Sequence, residues 1–190
     1  DKDGNIIDEW TSSKEEHIMK GLIIGETYTL HEEVSAEGYV KASDITFTFK
    51  EDQQKTIMID KIVSVSKTDV TGEKELEGAH IQVTDEDGKI VDEWISTKES
   101  HHINNLVEGK IYTLTETTAP DGYIKAESIT FEVSTDKEDQ FIVMKDKQVS
   151  FKKIDQNGHV VVGAKLQIVE KDSQKVIETF VTDGNIYYSK

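Results

Sequence analysis

Three predicted β-strands, distant from one another in the sequence, each direct one ionisable side chain toward the protein interior. Alternation of apolar and polar residues with a period of two is typical of a strand with one buried face. The inward series are Val63, Val65 and Lys67; Tyr112, Leu114 and Glu116; and Ile142, Met144 and Asp146. Lysine, glutamate and aspartate are rarely buried unless they are paired. The pattern therefore predicts that Lys67, Glu116 and Asp146 meet in the core.

A buried amine beside two carboxyl groups has the composition needed to form an amide bond. Burial of an ion pair is costly because both charges lose their hydration. If the amine of Lys67 attacks the carboxyl of Asp146, a neutral amide replaces two charges, and burial favours the uncharged, reactive forms of both groups. Glu116 is suited to carry the proton as general acid and base, and folding supplies the proximity. On these residues alone, an uncrosslinked ion cluster explains the pattern equally well.

The chain contains an internal repeat. Residues 1–50 align with residues 85–134 without a gap, and a third copy follows. A repeat of this length is typical of an array of small domains that fold on separate cores. We expect a partial repeat over 1–61 that lacks its first strands, a complete repeat over 62–147, and a partial repeat over 148–190 that lacks its last strands. Because the sequence opens within a repeat, we also expect a fragment of a longer protein.

The two partial repeats carry incomplete sets of the reactive residues. The first has Glu32 and Asp60, which correspond to the two carboxylates of the middle repeat, but no lysine strand. The third has Lys153 at the position of the middle lysine but neither carboxylate. We therefore expect head-to-tail self-association through the partial repeats, in which Lys153 of one molecule joins Asp60 of another.

The spacing of the strands predicts an all-β fold. The middle repeat has about seven short alternating segments separated by turn signals such as Asp-Gly, which is typical of tandem β-sandwich repeats of immunoglobulin-like size. The third segment, 90–96, has Trp94 on one face and Val91 and Ile95 on the other, so its inward face is ambiguous. A weak fourth strand is predicted over 101–106.

The composition argues against several functional classes. The net charge of −16 is unsuited to binding nucleic acid or an anionic membrane surface. The chain has no cysteine, and it has no apolar run of transmembrane length and no secretory signal. The acidic turn 85–88 lacks the spacing of a calcium loop, and His17, His101 and His102 lack that of a zinc site. We therefore expect no metal and no cofactor, and no hydrolase or phosphate-loop motif is present.

The reactive residues lie in motifs of a known family. Four motifs together resemble the Cna protein B-type (SpaA-like) repeats of Gram-positive surface proteins. They are Lys67 in Val-Ser-Lys-Thr-Asp, the segment Lys74-Glu75-Leu76-Glu77-Gly78-Ala79, Glu116 in Thr-Glu-Thr-Thr-Ala-Pro-Asp-Gly-Tyr, and Asp146 in Phe-Ile-Val-Met-Lys-Asp. The resemblance covers the middle repeat and both partial ones. It implies prealbumin-like sandwiches and an autocatalytic isopeptide bond, with Lys67 as the reactive lysine, Asp146 as the acid and Glu116 as the catalytic glutamate. Glu32 matches that glutamate in the first repeat.

The resemblance also implies a structural role. We expect stalk or spacer repeats of a cell-surface adhesin or pilus-like protein, extracellular and attached to the cell wall of a Gram-positive bacterium. The expected partners are neighbouring repeats, with any host ligand bound by other regions, and without nucleic acid or membrane insertion. The chain would crosslink itself once and would not act as an enzyme. An adhesin module that binds a host matrix protein or glycan directly is the alternative, and it requires an exposed apolar or aromatic patch. A carrier or enzyme accessory domain would require a pocket between the sheets.

Overall fold

The computed structural model describes residues 1–50 and 54–189, and every regular element in this part of the chain is a strand. The strands are β1 (Thr27–Leu30), β2 (Ile45–Thr48), β3 (Val63–Asp69), β4 (His80–Thr84), β5 (Ile90–Ile95), β6 (His101–His102), β7 (Ile111–Thr118), β8 (Ile129–Glu132), β9 (Gln140–Asp146), β10 (Ser150–Phe151), β11 (Lys165–Val169), β12 (Val176–Val181) and β13 (Tyr187–Tyr188). Residues with branched or aromatic side chains are common in these segments and favour extended backbone. The all-β fold class predicted from the sequence is confirmed.

The middle repeat forms a sandwich of two sheets. One sheet has the strand order β6-β3-β9 and the other has the order β5-β4-β7-β8. Strands β3 and β9, the first and last of this repeat, are parallel neighbours, with Val63 opposite Gln140 and Asp69 opposite Asp146. The other strand pairs of both sheets are antiparallel. This topology puts the beginning and the end of the repeat side by side.

The hydrophobic core lies between these two sheets. Inward residues of β3 and β9 pack against those of β4 and β7, as their period-two alternation predicted. The buried apolar cluster contains Val40, Val63, Val65, Ala79, Ile81, Val83, Ile103, Leu106, Tyr112, Leu114, Val133, Ile142 and Met144. Full burial of a side chain of this size contributes about 1.5–3 kcal/mol, so the cluster can offset the burial of a few charged groups.

A β-bulge resolves the ambiguous face of β5. The register of β4 and β5 shifts after Val83, which lies opposite Asp92, and Val91 is left as the extra residue. Trp94 lies opposite Ile81, and both Val91 and Trp94 pack against the core. A bulge shifts the phase of alternation along a strand, which explains why a strict period of two placed these two residues on opposite faces.

The predicted fourth strand over 101–106 is wrong beyond its second residue. Strand β6 consists of His101 and His102 and pairs with β3. Asn105 has a φ angle of 59°, in the left-handed region, which is incompatible with a continuing strand. Ile103 and Leu106 are nevertheless fully buried, so the segment closes one end of the core as a loop.

The flanking repeats form separate two-stranded sheets. Strand β1 pairs with β2, β11 with β12, and β10 with β13. Residues 6–11 correspond to β5 but form no strand; in the middle repeat, β5 is hydrogen-bonded to β4. The repeat boundaries at residues 61 and 147 stay a prediction.

Candidate functional site

The three inward ionisable residues lie together in the core of the middle repeat, and we refer to Lys67, Glu116 and Asp146 as the buried triad. Lys67 on β3, Glu116 on β7 and Asp146 on β9 have 2%, 0% and 0% of their surfaces exposed. The Nζ of Lys67 donates a hydrogen bond to Oδ1 of Asp146 and lies 3.2 Å from Oε1 of Glu116. One amine therefore contacts two carboxyl groups that come from different sheets.

The strand pairing explains how Lys67 reaches Asp146. In the parallel ladder of β3 and β9, Lys67 lies opposite Met144, and Asp146 lies two residues further along, opposite Asp69. Residues two apart on a strand share a face. The four-carbon stem of lysine is long enough to span this diagonal, whereas the facing sheet supplies Glu116 from the other side of the core.

Burial makes Glu116 suited to carrying a proton. Loss of hydration is the largest effect and raises the pKa of Glu116; the Ala126 N–H, which donates to Oε2 at 2.6 Å, and the charge of Lys67 act in the opposite direction, and Asp146 raises the pKa further. Within the described residues, Oε1 of Glu116 and Oδ2 of Asp146 are buried without a hydrogen-bond partner. A buried oxygen without a hydrogen bond is costly. Oε1 of Glu116 has the ion-pair contact with Lys67, and a proton on Glu116 supplies a hydrogen bond to the carboxyl of Asp146.

Backbone contacts hold Lys67 in place. Its N–H donates to Oε2 of Glu75 at 2.8 Å, and its carbonyl accepts from the Leu76 N–H at 2.6 Å. In the third repeat, Val160 occupies the position of Glu75 and has no side-chain acceptor. The sequence analysis did not identify Glu75, because a surface glutamate before a Leu-Glu-Gly-Ala segment carries no pattern that marks a contact across the fold.

A second lysine, Lys61, is also buried and was missed by the sequence analysis. It is 2% exposed, and its Nζ donates to the backbone carbonyls of Ser134 and Asp136, the latter at 2.7 Å. The Nζ lies 3.6 Å from Oε1 of Glu108. Backbone carbonyls and a carboxylate stabilise a charged ammonium. The signal was readable, since Lys61 has the same parity as Val63 and continues the inward series of β3 by one step.

The corresponding residues of the flanking repeats have different surroundings. Oε2 of Glu32 accepts a hydrogen bond from the Ala42 N–H at 2.7 Å, which reproduces the backbone contact of the glutamate in the buried triad. Asp60 is exposed, and partial burial, followed by the charge of Glu108, raises its pKa. Lys153 is exposed. In the described part of the chain no hydrogen bond or ion pair joins Asp60 to Lys153, and their joining between molecules stays a prediction.

Stacked ring pairs recur in all three repeats at a spacing of seven residues. The pairs are Trp10–His17, Trp94–His101 and Phe180–Tyr187, with ring centroids 4.1, 4.0 and 3.7 Å apart. In each repeat the second ring also hydrogen-bonds an acidic residue two positions before the first ring; these acids are Asp8, Asp92 and Glu178. The histidines are thus engaged in packing contacts. Among the described residues, no group of three or more histidine, aspartate or glutamate side chains is arranged to hold a metal ion.

The sequence match identifies the family. Residues 1–63 and 61–148 match the SpaA family, described as a prealbumin-like fold domain. The chain belongs to this family. The prediction of SpaA-like repeats is therefore confirmed, and the second matched SpaA domain contains the whole buried triad.

Solved structures that match the chain include two pilins and the TIE protein. The chain is 22% identical to the Bacillus anthracis TIE protein over 85% of this chain and 34% of that one, with a TM-score of 0.37. Shaft pilin SpaA from Lactobacillus rhamnosus GG is 18% identical over 65% of this chain and 64% of that one, with a TM-score of 0.33. The Streptococcal ancillary pilin is 15% identical over 87% of this chain and 62% of that one, with a TM-score of 0.42. The SpaA-domain chain thus spans about one third of the length of the TIE protein. No curated protein sequence matches the chain.

In the part of the chain that the structure describes, no helix is both long and apolar enough to cross a membrane.

Proposed function

We propose that this chain is a segment of a stalk or spacer in a surface protein or pilus of a Gram-positive bacterium, and that its middle repeat crosslinks itself through an isopeptide bond between Lys67 and Asp146. The observation that carries the proposal is the contact of the Lys67 amine with two fully buried carboxyl groups. Membership of the SpaA family supports the structural role.

The proposed reaction exchanges two buried charges for one neutral amide. The lone pair of the neutral Lys67 amine attacks Cγ of Asp146, a C–N bond forms, and one C–O bond of the carboxyl group breaks. Relative to the charged pair, two of the three ammonium protons leave with that oxygen as water, and the third stays on the amide nitrogen. No other reactant is required. The driving force includes the hydration that both charges lost on burial, and the aligned side chains supply the proximity.

Glu116 acts as the proton carrier in this proposal. Its raised pKa favours the neutral acid, which donates to the Asp146 carboxyl and increases its electrophilic character. The carboxylate form then accepts a proton from the attacking amine and passes it to the leaving oxygen, and it recovers its first proton from the carbonyl oxygen as the amide forms. After the reaction, the neutral acid can hydrogen-bond the amide carbonyl, so the two oxygens that lack partners in the uncrosslinked cluster satisfy each other.

The bond would give the repeat resistance to tension. It joins β3 to the last residue of β9, and these strands are adjacent and parallel. A force applied at the two ends of the repeat therefore reaches Lys67 through the first residues of β3 and reaches Asp146 directly from the chain that follows β9. The segment between them, with a sequence separation of 79, would lie inside a closed covalent loop and bear no load. The chain has no cysteine, and the bond would take the place of a disulfide.

Intact mass under denaturing conditions tests the proposal. We expect the unaltered chain to weigh less than its sequence by the mass of one water, and Lys67→Arg to restore the full mass. Lys61→Arg is the matched control, because Lys61 is equally buried but has backbone carbonyls as its partners; this variant should keep the deficit. An unaltered chain with its full sequence mass would refute the crosslink.

The flanking repeats suggest self-association as a further element of this proposal. Lys153 of one molecule and Asp60 of another are the expected joining pair in a head-to-tail contact, and both side chains are exposed. We expect species larger than the monomer on boiled denaturing gels of concentrated protein. Only monomer at high concentration would rule out covalent joining.

One feature favours the alternative of direct ligand binding. Phe141 and Val143 on β9 are 74% and 49% exposed and point to the same side of the strand, as residues two apart do. Two side chains are a small surface compared with the several hundred Å² typical of interaction patches, and we prefer the spacer role. Binding of the unaltered chain to immobilised matrix proteins, lost in Phe141→Ser, would support the adhesin alternative.

A further inference from the structure

The first repeat inserts a side chain into the core of the middle repeat. Val40 is 1% exposed and belongs to the same buried cluster as Ile103 and Leu106. Ala42, two residues further along, is also buried. Since Val40 precedes the middle repeat by more than twenty residues in the sequence, this contact joins two repeats. It closes the end of the sandwich at which the loop after β6 replaces a longer strand.

Four backbone N–H groups of this segment, Gly38 to Ser43, donate to the middle repeat or to Lys61, which immediately precedes it. The bonds are Gly38 N to Asn104 Oδ1 at 2.8 Å, Val40 N to Lys61 O at 2.9 Å, Lys41 N to Leu106 O at 2.9 Å, and Ser43 N to Glu108 Oε2 at 3.0 Å. The backbone of Lys41 also forms a parallel bridge with Val107. Alternate bonding to both sides places the segment between Lys61 and the loop 103–108.

Buried charge anchors this contact. Glu108 accepts from Ser43 through Oε2, while its Oε1 faces the Nζ of Lys61 at 3.6 Å. The side chains of Lys61 and Glu108 are 1% and 10% exposed. Lys61 is in turn fixed by backbone carbonyls of the loop after β8. A carboxylate that is held by a buried ammonium presents its second oxygen in one direction, and that direction meets the first repeat.

One backbone bond and the glycine turn of this contact recur at the second junction. The Ile124 N–H donates to the Lys147 carbonyl at 2.7 Å, which corresponds to the bond from Val40 to Lys61. A Cβ at Gly38 would lie 3.5 Å from the His102 side chain, and one at Gly122 would lie 3.7 Å from that of Tyr188. Both glycines have positive φ angles, 81° and 85°, which glycine adopts at no steric cost. The turn and this backbone bond thus recur, whereas the buried contact is particular to the first junction, since Ile124 is 49% exposed and Val40 is 1% exposed.

We propose that the loop 103–108, together with Lys61, is a docking surface for the Gly-Tyr turn segment of the preceding repeat, and that it holds consecutive repeats at a fixed angle. The partner is chemically defined: an extended segment with a glycine at the turn and a small apolar residue two positions later. The proposal deepens the stalk function and rests on it for its biological meaning, but the docking does not require the crosslink. Repeats joined only by a linker would move freely relative to each other.

Pulsed electron spin resonance between labels on the two repeats tests the fixed angle. The absence of cysteine allows a specific pair at Thr46→Cys and Glu93→Cys, which are exposed strand positions. We expect one narrow distance distribution in the otherwise unaltered chain and a distribution about twofold wider or more in Val40→Ser, since undocked domains reorient freely. Ile124→Ser, at the corresponding position of the second junction, is the control and should leave the distribution narrow. A distribution that is broad from the start, or unchanged by Val40→Ser, overturns the proposal.

Amide hydrogen exchange gives a second measurement that does not need a variant. The N–H groups of Lys41 and Ser43 should exchange at least about 100-fold more slowly than in an unstructured peptide, because buried acceptors hold them. Exchange at the unstructured rate would contradict the docking. The mass deficit distinguishes this inference from the crosslink. Val40→Ser should keep the mass deficit. A narrow distance distribution in a chain that lacks the mass deficit would support the docking and refute the proposed crosslink.

Discussion

Substitution of Glu116 by glutamine isolates the proton carrier from the packing of the core. Glutamine has nearly the same shape, and its side-chain oxygen can still accept the Ala126 N–H that Oε2 accepts at 2.6 Å. It cannot take up and release a proton at neutral pH. We therefore expect Glu116→Gln to fold with the full sequence mass, since Lys67 and Asp146 remain in contact but do not react.

The stability of this variant should fall by an amount set by the lost covalent loop. Lys67 and Asp146 are separated by 79 positions, and closing a loop of this size removes enough unfolded-chain entropy to stabilise the fold by about 4.5 kcal/mol at 25 °C. For a domain of this length, that difference corresponds to a decrease in Tm of roughly 20–35 °C. The uncrosslinked Lys67–Asp146 ion pair adds a further cost, because both charges stay buried.

Guanidinium unfolding followed by tryptophan fluorescence measures this difference. Trp10 is replaced by Phe in every sample, so that the signal comes from Trp94 of the middle repeat, which packs against its core. Glu32→Gln is the matched control, since Glu32 makes the same backbone contact in the first repeat and forms no ion pair with a lysine among the described residues. This variant should keep the mass deficit and the midpoint. The reasoning is refuted if Glu116→Gln retains the mass deficit, or if it loses the deficit with a stability change below about 1 kcal/mol.

Three further predictions follow from the same contacts. Glu75→Val removes the carboxylate that accepts the Lys67 N–H at 2.8 Å. Loss of this hydrogen bond, worth about 1 kcal/mol, should slow isopeptide bond formation about fivefold during refolding, as followed by intact mass against time. An unchanged rate would contradict this role of Glu75. Burial raises the pKa of Glu116 above its ordinary 4.5, so the folded chain binds more protons than the unfolded chain above pH 4.5. The contribution of this group to stability is therefore lost as the pH rises through the raised pKa. Urea midpoints measured across pH should show this decrease in the unaltered chain and a flatter dependence in Glu116→Gln. Lys61→Met leaves Glu108 buried without its cation and should lower the unfolding free energy by about 3–5 kcal/mol with the mass deficit intact; a loss below about 1 kcal/mol would show that the pair is not structural.

The parts of this fold that the sequence predicted are those that depend on local periodicity. Strands β3 and β7 alternate apolar and polar residues, and β9 has the inward series Ile142, Met144 and Asp146 beside the outward Phe141 and Val143. The inward ionisable residues could be recognised because each replaced an apolar residue in its series. The contact among Lys67, Glu116 and Asp146 then followed from the rule that buried charges must be paired. No knowledge of which strands are neighbours was needed for that step.

The parts that could not be predicted depend on contacts between distant segments. The bulge at Val91 arises from the pairing of β4 with β5, and the loop at Asn105 arises where Ile103 and Leu106 fill the end of the core. Glu108 belongs to a turn, and turns have no periodicity that marks an inward side chain. The role of Glu108 depends on Lys61. The sequence shows that Lys61 has the parity of the inward residues of β3, but Lys61 lies outside the predicted strand.

Two lysines of similar burial enter the same core, and their surroundings assign them different chemistry. The ammonium of Lys61 contacts two backbone carbonyls and the carboxylate of Glu108. All three groups are acceptors that stabilise its positive charge, and the backbone carbonyls cannot acylate an amine at neutral pH. The amine of Lys67 meets only the two carboxyl groups of its triad among the described side chains, and burial favours a proton on one of them. The cluster of Lys67 therefore has both a proton carrier and an electrophile, whereas that of Lys61 has neither in a suitable form. Charge is retained where the repeats must dock, and we expect it to be removed by amide formation where the chain must resist tension.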